Sequence, residues 1–277
     1  MPASNKKKLA LVLMGVLLCL LLAAILLFTR PKQRFTTFED YVHALYPTVR
    51  TGGILEYATA YEKYTSLRAK AHTIAVVTPL DELTGENTFA VSSGKRYTGG
   101  YSVRKVRVLK YFKNAKEYGE EFEMAEECGL AEDGTLVMQE NCWPMQKGDV
   151  YLVFLDDSYN VRKYPTPIRG CNGRFDLTHL ELNCAEYSRS LLTALLKLDL
   201  LTKKSLRRAG KDLLEAVDSA SPVYWPKDEE HLAKEAEIKW KTYELYTPWT
   251  DRNYPLTIEC GTDEEGAIYR CLQTTLR

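Results

Sequence analysis

Between Lys8 and Arg30 the chain carries no charge, and the 20 residues from Leu9 to Phe28 are all apolar or glycine. At a rise of about 1.5 Å per residue such a run spans roughly 30 Å as a helix, the thickness of a bilayer core. A cleaved signal peptide is the rival reading. Its apolar region is about 7–15 residues long and ends on small residues. Here the run closes Ile25-Leu26-Leu27-Phe28-Thr29-Arg30, a poor cleavage site. The expectation is therefore an uncleaved single-pass anchor over 9–29, with the lipid bilayer as its partner through Leu9 to Phe28. Lys6, Lys7 and Lys8 precede the run and Arg30, Lys32 and Arg34 follow it. That balance tips the positive-inside rule slightly toward a cytoplasmic N-terminus. The expected location is the cell membrane, with the body extracellular.

All 37 acidic residues lie from Glu39 onward, whereas six of the 37 basic ones flank the apolar run. The body is thus mildly acidic, which argues against a nucleic-acid surface. With 45% hydrophobic and 27% charged residues the chain has the balance of a folded protein. Cys19 sits in the apolar run, and Cys128, Cys142, Cys171, Cys184, Cys260 and Cys271 lie beyond it. An even number in an expected extracellular body suggests disulfides, and pairing of sequence neighbours is the simplest of 15 connectivities. Buried thiols acting as small apolar residues are the alternative. The absence of Cys-x-x-Cys disfavours a thiol-redox site or a zinc knuckle.

Thr37-Phe38-Glu39-Asp40 resembles a helix start. Ile54, Tyr57, Tyr61, Tyr64 and Leu67 recur at helical spacing and predict an amphipathic helix. From Ala71 the period changes. Ile74 to Val77 is a β-branched strand, and Tyr101 to Phe112 a long one whose alternation changes phase, which predicts a β-bulge near Arg104-Lys105. Phe122 with Met124, Leu136 to Met138, and Phe175 with Leu177 suggest further strands. The apolar run Val150 to Leu155 reads as a strand buried on both faces. Close-spaced strands of this kind indicate a sandwich or small barrel. Tyr187 to Leu201 and the stretch with Leu206, Leu213, Leu214 and Val217 read as helices, Glu229 to Tyr246 as a third. Leu256 to Ile258 and Ala267 to Leu272 form a closing hairpin.

The passages Leu67 to Val77, Lys105 to Lys113, Lys147-Gly148-Asp149-Val150-Tyr151-Leu152-Val153-Phe154-Leu155 and Gly173-Arg174-Phe175 carry a resemblance. Over roughly residues 60–178 the chain resembles a set of secreted or membrane-anchored Gram-positive bacterial proteins with a TIMP-like (netrin-like) OB barrel. His72 replaces an acid of that pattern and Val77 a glycine. The free N-terminal cysteine by which inhibitors of similar fold chelate a target's zinc has no counterpart here, so that mechanism does not carry over. The resemblance implies a fold and not an activity. The expected fold class is α+β: an N-terminal transmembrane helix, a small TIMP-like, OB-type β-barrel and a C-terminal helical section with a closing hairpin. The segments are 1–8, a short cytoplasmic N-terminus; 9–29, the transmembrane helix; 30–68, a juxtamembrane segment and amphipathic helix; 69–178, the barrel; and 179–277, the helical section.

No zinc-protease motif or nucleophile elbow occurs. His43, His72, His179 and His231 are scattered, so no metal site, cofactor or catalytic residue is assigned. Cys171 with His179 as base is conceivable, but Cys184 is an obvious disulfide partner for Cys171. The acid pairs Glu126-Glu127, Glu132-Asp133 and Asp156-Asp157 read as solvated turns. The expected function is non-enzymatic binding of a protein or envelope component at the cell surface. Tyr97, Tyr101, Arg104, Arg107 and Tyr111 would form its face on the barrel. An envelope hydrolase with a site assembled from distant residues, or a structural subunit of a membrane complex, are the alternatives.

Overall fold

The computed structural model describes residues 38–51, 63–93, 96–138, 142–156, 163–183, 188–219, 238–263 and 266–272. Helix α1 (Phe38–Leu45) starts where the Thr37 cap signal places it. Strand β1 (Val49–Thr51) and helix α2 (Tyr64–Lys70) follow. The body is then built on β2 (Thr73–Pro79), β3 (Thr88–Ser93), β4 (Arg96–Asn114), β5 (Glu121–Glu126), β6 (Cys128–Leu130), β7 (Leu136–Met138), β8 (Tyr151–Asp156), β9 (Thr166–Pro167) and β10 (Arg174–Asp176). Helices α3 (Ser188–Lys197) and α4 (Lys203–Ser219) lead to β11 (Lys241–Leu245), β12 (Leu256–Asp263) and β13 (Gly266–Leu272).

Seven strands form the main sheet in the order β10-β8-β2-β4-β3, with β5 also on β4 and β9 also on β8. The sheet curls into a half-barrel. The Ala125 amide donates to the Pro165 carbonyl at 2.9 Å, linking the end of β5 to the approach of β9. Strand side chains alternate between faces, so β2 and β8 each feed two cores. Ala75, Val77, Tyr151, Val153 and Leu155 point inward to meet Val106, Phe122, Met124 and Met145. Ile74, Val76, Leu152 and Phe154 point outward and pack under Tyr64 and Leu67 of α2, Leu191, Leu192 and Leu195 of α3, and Leu245, Leu256 and Ile258 of the β11-β12-β13 sheet. A third cluster joins Val42 of α1 to Leu83, Cys128, Leu136 and Met138 beside the small β1-β7-β6 sheet.

The expected fold class requires correction. Among the described residues strand outweighs helix, and the barrel is only half closed. Among the described residues the helical section comprises α3 and α4, and 241–245, read as the end of a third helix, is a strand paired with β12 over Lys241↔Cys260 to Leu245↔Leu256; the start of that expected helix, 229–237, lies outside the described residues. Trp240 and Tyr243 mimic helical spacing, but alternation and the neighbouring edge of β12 win, a tertiary override of local pattern. The β12-β13 hairpin stands as expected. Of the tyrosine-rich helix only Tyr64 to Lys70 falls among the described residues, with Tyr64 and Leu67 buried.

The membrane expectation is not supported. No helix among the described residues is long and apolar enough to cross a membrane. The longest span, α4, has 17 residues, is broken by the non-helical Gly210 and carries Lys203, Lys204, Arg207 and Arg208. The run Leu9 to Phe28 lies outside the described residues, and with it the structural basis for a single-pass, extracellular body. The disulfides are corrected likewise. Cys128 and Cys142 are both buried without a bond between them, and Cys128 packs as a small apolar side chain in the third cluster. The register sets Cys260 opposite Tyr269 and Cys271 opposite Ile258. That diagonal relation stands about 7–8 Å apart, beyond disulfide reach. Cys184 and the side chain of Cys171 lie outside the described residues.

Candidate functional site

The residues expected to share one face of β4 do not do so. The backbone of Tyr97 is in β4, its side chain outside the described part. Tyr101 stacks on Phe89 of β3, centroids 5.2 Å apart and planes 20° from parallel. Arg107 is exposed and pairs with Glu121 at 2.9 Å. Tyr111 donates its hydroxyl to the carbonyls of Tyr118 (3.1 Å) and Gly119 (2.7 Å) beside the barrel core.

Arg104 is 0% exposed. Its Nε donates to Asp81 Oδ1 at 3.0 Å, and its Nη1 to Glu126 Oε2 and the Met145 carbonyl, each at 2.9 Å. Glu126 also accepts from Arg174 at 2.5 Å and from the Met145 amide at 2.8 Å. Glu126 is thus no solvated turn residue but the centre of a buried Arg–Glu–Arg array. Burial works against the Arg104 charge, yet Glu126 and Asp81 hold its pKa above the ordinary arginine value. Such a closed ion set fixes geometry and leaves no donor set aimed at a ligand.

A second polar cluster has the opposite character. The Lys147-Gly148 turn, with Gly148 at φ 84° in the left-handed region, delivers Asp149 to the mouth of β8. The β8-β10 ladder continues past its last pair, Asp176↔Tyr151, because the Leu177 amide donates to the Val150 carbonyl at 2.8 Å. This brings Asp176 and its following loop alongside Asp149. Asp176 Oδ1 accepts from the amides of Thr178 (2.8 Å) and His179 (2.7 Å), turning the chain so that the imidazole folds back. His179 Nδ1 then lies 3.2 Å from Asp176 Oδ2 and 3.4 Å from Asp149 Oδ2. Asn183 braces the loop, accepting from the Asp176 amide and donating to the carbonyls of Asp176 and Leu180.

Aromatic rings wall the cluster. Tyr41 of α1 lies 4.9 Å from the imidazole and donates its hydroxyl to Asp149 Oδ2 at 3.4 Å. Tyr254 meets the imidazole edge-on at 5.1 Å. Burial, and next the Asp176 charge, push the Asp149 carboxyl up to about 6, against the pull of His179. Burial disfavours the His179 cation, but Asp176, Asp149 and Asp251 outweigh it and raise the imidazole pKa. Burial and the two carboxylates raise the Tyr41 phenol as well. A general base poised near neutral pH is one chemical capacity of such a group; cation binding is another, since the three side chains offer donors within 4.8 Å of one another.

Sequence reasoning passed over Asp149, Asp176, Tyr41 and Tyr254. Asp176 three residues before His179 was the available local signal; Asp149 and Tyr41 arrive only through tertiary contacts. The Cys171–His179 pairing lies outside the described parts, which do not include the side chain of Cys171, while the imidazole Nδ1 faces Asp176 and Asp149. No family model, no curated protein and no solved structure matches this chain.

Proposed function

We propose that the chain is a non-enzymatic binding module that meets a protein partner along the β3-β4 hairpin. The observation that carries the reading is the Phe89–Tyr101 stack. Phe89 remains 46% exposed, although an aromatic ring loses one of the largest apolar areas of any side chain when it is buried. Beside it, residues 96–101 of β4 pair only with β3 among the described strands, since β5 takes 102–107 and β2 takes 106–114. Addition of a partner strand beside this hairpin is a recurring mode of peptide recognition. An incoming strand gains backbone hydrogen bonds there and apolar contact on the stacked rings.

The test is photo-crosslinking in the native host. A benzoylphenylalanine placed at 89 is expected to give a discrete heavier adduct that Tyr101→Ala abolishes. The same probe at Lys116, an exposed turn position, should give none. Adducts of equal yield at both positions, or none at 89, would remove the hairpin as the docking element.

A further inference from the structure

The Asp149–Asp176–His179 cluster is geometrically unlike the buried ion array around Glu126. There, donors and acceptors alternate and every strong contact is opposed in sign. Here two carboxylate oxygens converge on a single ring nitrogen, at 3.4 and 3.2 Å. One imidazolium between two carboxylates leaves a surplus negative charge in a largely buried place, and Asp251 adds to it electrostatically. A dication on a neutral imidazole leaves none. The two oxygen-to-nitrogen separations also fit. Ligand atoms about 2.1 Å from one ion, at tetrahedral or octahedral angles, stand roughly 3.0–3.4 Å from each other.

We propose that Asp149, Asp176 and His179 bind one divalent transition-metal ion of the zinc type, through Asp149 Oδ2, Asp176 Oδ2 and His179 Nδ1. The donor set selects the class. Calcium takes about six to eight oxygens, whereas this set has two carboxylates and an imidazole, which suits zinc and its first-row neighbours. Three protein ligands leave a fourth position for water. The surrounding groups orient the ligands as metal sites require. The Thr178 and His179 amides hold the non-ligating oxygen of Asp176, the Tyr41 hydroxyl fixes Asp149, and the rings of Tyr41 and Tyr254 set the imidazole plane. The site is remote in sequence from the β3-β4 hairpin and independent of the reading placed on it.

The test is zinc titration of the full chain, stripped by a chelator, in competition with a chromophoric indicator. One equivalent is expected to bind. Asp149→Asn, which keeps the side-chain shape, and His179→Gln should each weaken binding by about 100-fold or more, at least the loss seen when supporting residues of metal sites are removed. His43→Gln should leave affinity unchanged. Cobalt in place of zinc should give ligand-field bands of a nitrogen–oxygen site that both cluster variants abolish. No binding by the wild-type chain, equal affinity in Asp149→Asn, or a sulfur-to-cobalt charge-transfer band placing the ion on cysteines would each overturn the assignment.

Discussion

Arg104 donates to Glu126 at 2.9 Å, and both side chains are fully withdrawn from solvent. Removing one partner of a buried pair strands the other charge, at a cost of about 3–5 kcal/mol. Arg104→Met should therefore lower the free energy of unfolding by that order in urea titrations. Arg107→Ala, three positions on and paired at the surface with Glu121, should cost less than about 1 kcal/mol. Similar losses for the two would show that Glu126 is relieved by Arg174 alone.

Gly173 sits where three backbone atoms close in. A Cβ there would lie 2.5 Å from the Ile168 nitrogen, 2.8 Å from the Phe154 oxygen and 2.9 Å from the Ile168 oxygen. Gly173→Ala must push β8 away from the loop that follows β9, at a cost of about 1–3 kcal/mol or more. Gly85→Ala, with nothing within 4 Å of its Cβ, is the matched control. Thermal midpoints of the two variants measure the difference.

Asp149 carries a pH signature. Its carboxyl is raised from an unfolded value of 3.8 to about 6 in the fold, so the folded state holds its proton more tightly. The stability this provides is complete below about pH 4 and is lost as pH rises through 6. In the presence of a chelator, Asp149→Asn should abolish that decline and be more stable than wild type at pH 7, by on the order of 1–3 kcal/mol. Urea midpoints measured from pH 4 to 7.5 check it. A variant curve parallel to the wild-type curve would assign the decline to other groups.

The Cys128 thiol is completely buried, and burial, with Glu126 nearby, pushes its pKa up. Thiolate is the reactive form, so maleimide should leave Cys128 unmodified in the folded chain and label it in denaturant without prior reduction. Mass spectrometry of the Cys128 peptide reads both states. Labelling that needs reduction first would restore a disulfide at this position.

The half-barrel was legible where hydrophobic pattern alone decides the outcome. Ile74 to Val77 and Val150 to Leu155 read as strands, the second as buried on both faces, and the structure places them so. The pattern misled where a charge occupies an interior position. Ser102, Arg104 and Val106 are all buried, with Val103 buried between them, and Arg104↔Met124 and Lys105↔Glu123 pair regularly, without a bulge. An arginine read as solvent-facing produces an apparent phase change, and hence a bulge predicted at 104–105. The real irregularities against β2 skip Leu109 and Phe112. The polar cluster was illegible for a different reason. Tyr41, Asp149, Asp176 and Tyr254 come from four separate stretches of chain, joined by a ladder extension and a helix contact that no local pattern encodes.

Strand β2 is apolar on both of its faces, and so is β8. In a half-solvated strand, slipping the ladder by one residue turns the greasy side to water, a penalty that enforces alignment. A slip of β2 against β8 exchanges one oily set for another and forfeits that safeguard. Alignment must then come from features that cannot be moved along the chain. Pro79 has no amide to donate where it faces Val106, and the extra residues Leu109 and Phe112 on β4 admit β2 in one phase. Substitutions that erase these irregularities would leave composition and burial nearly intact yet license mispaired, kinetically trapped conformers. The imperfections of the long strand serve as its indexing marks.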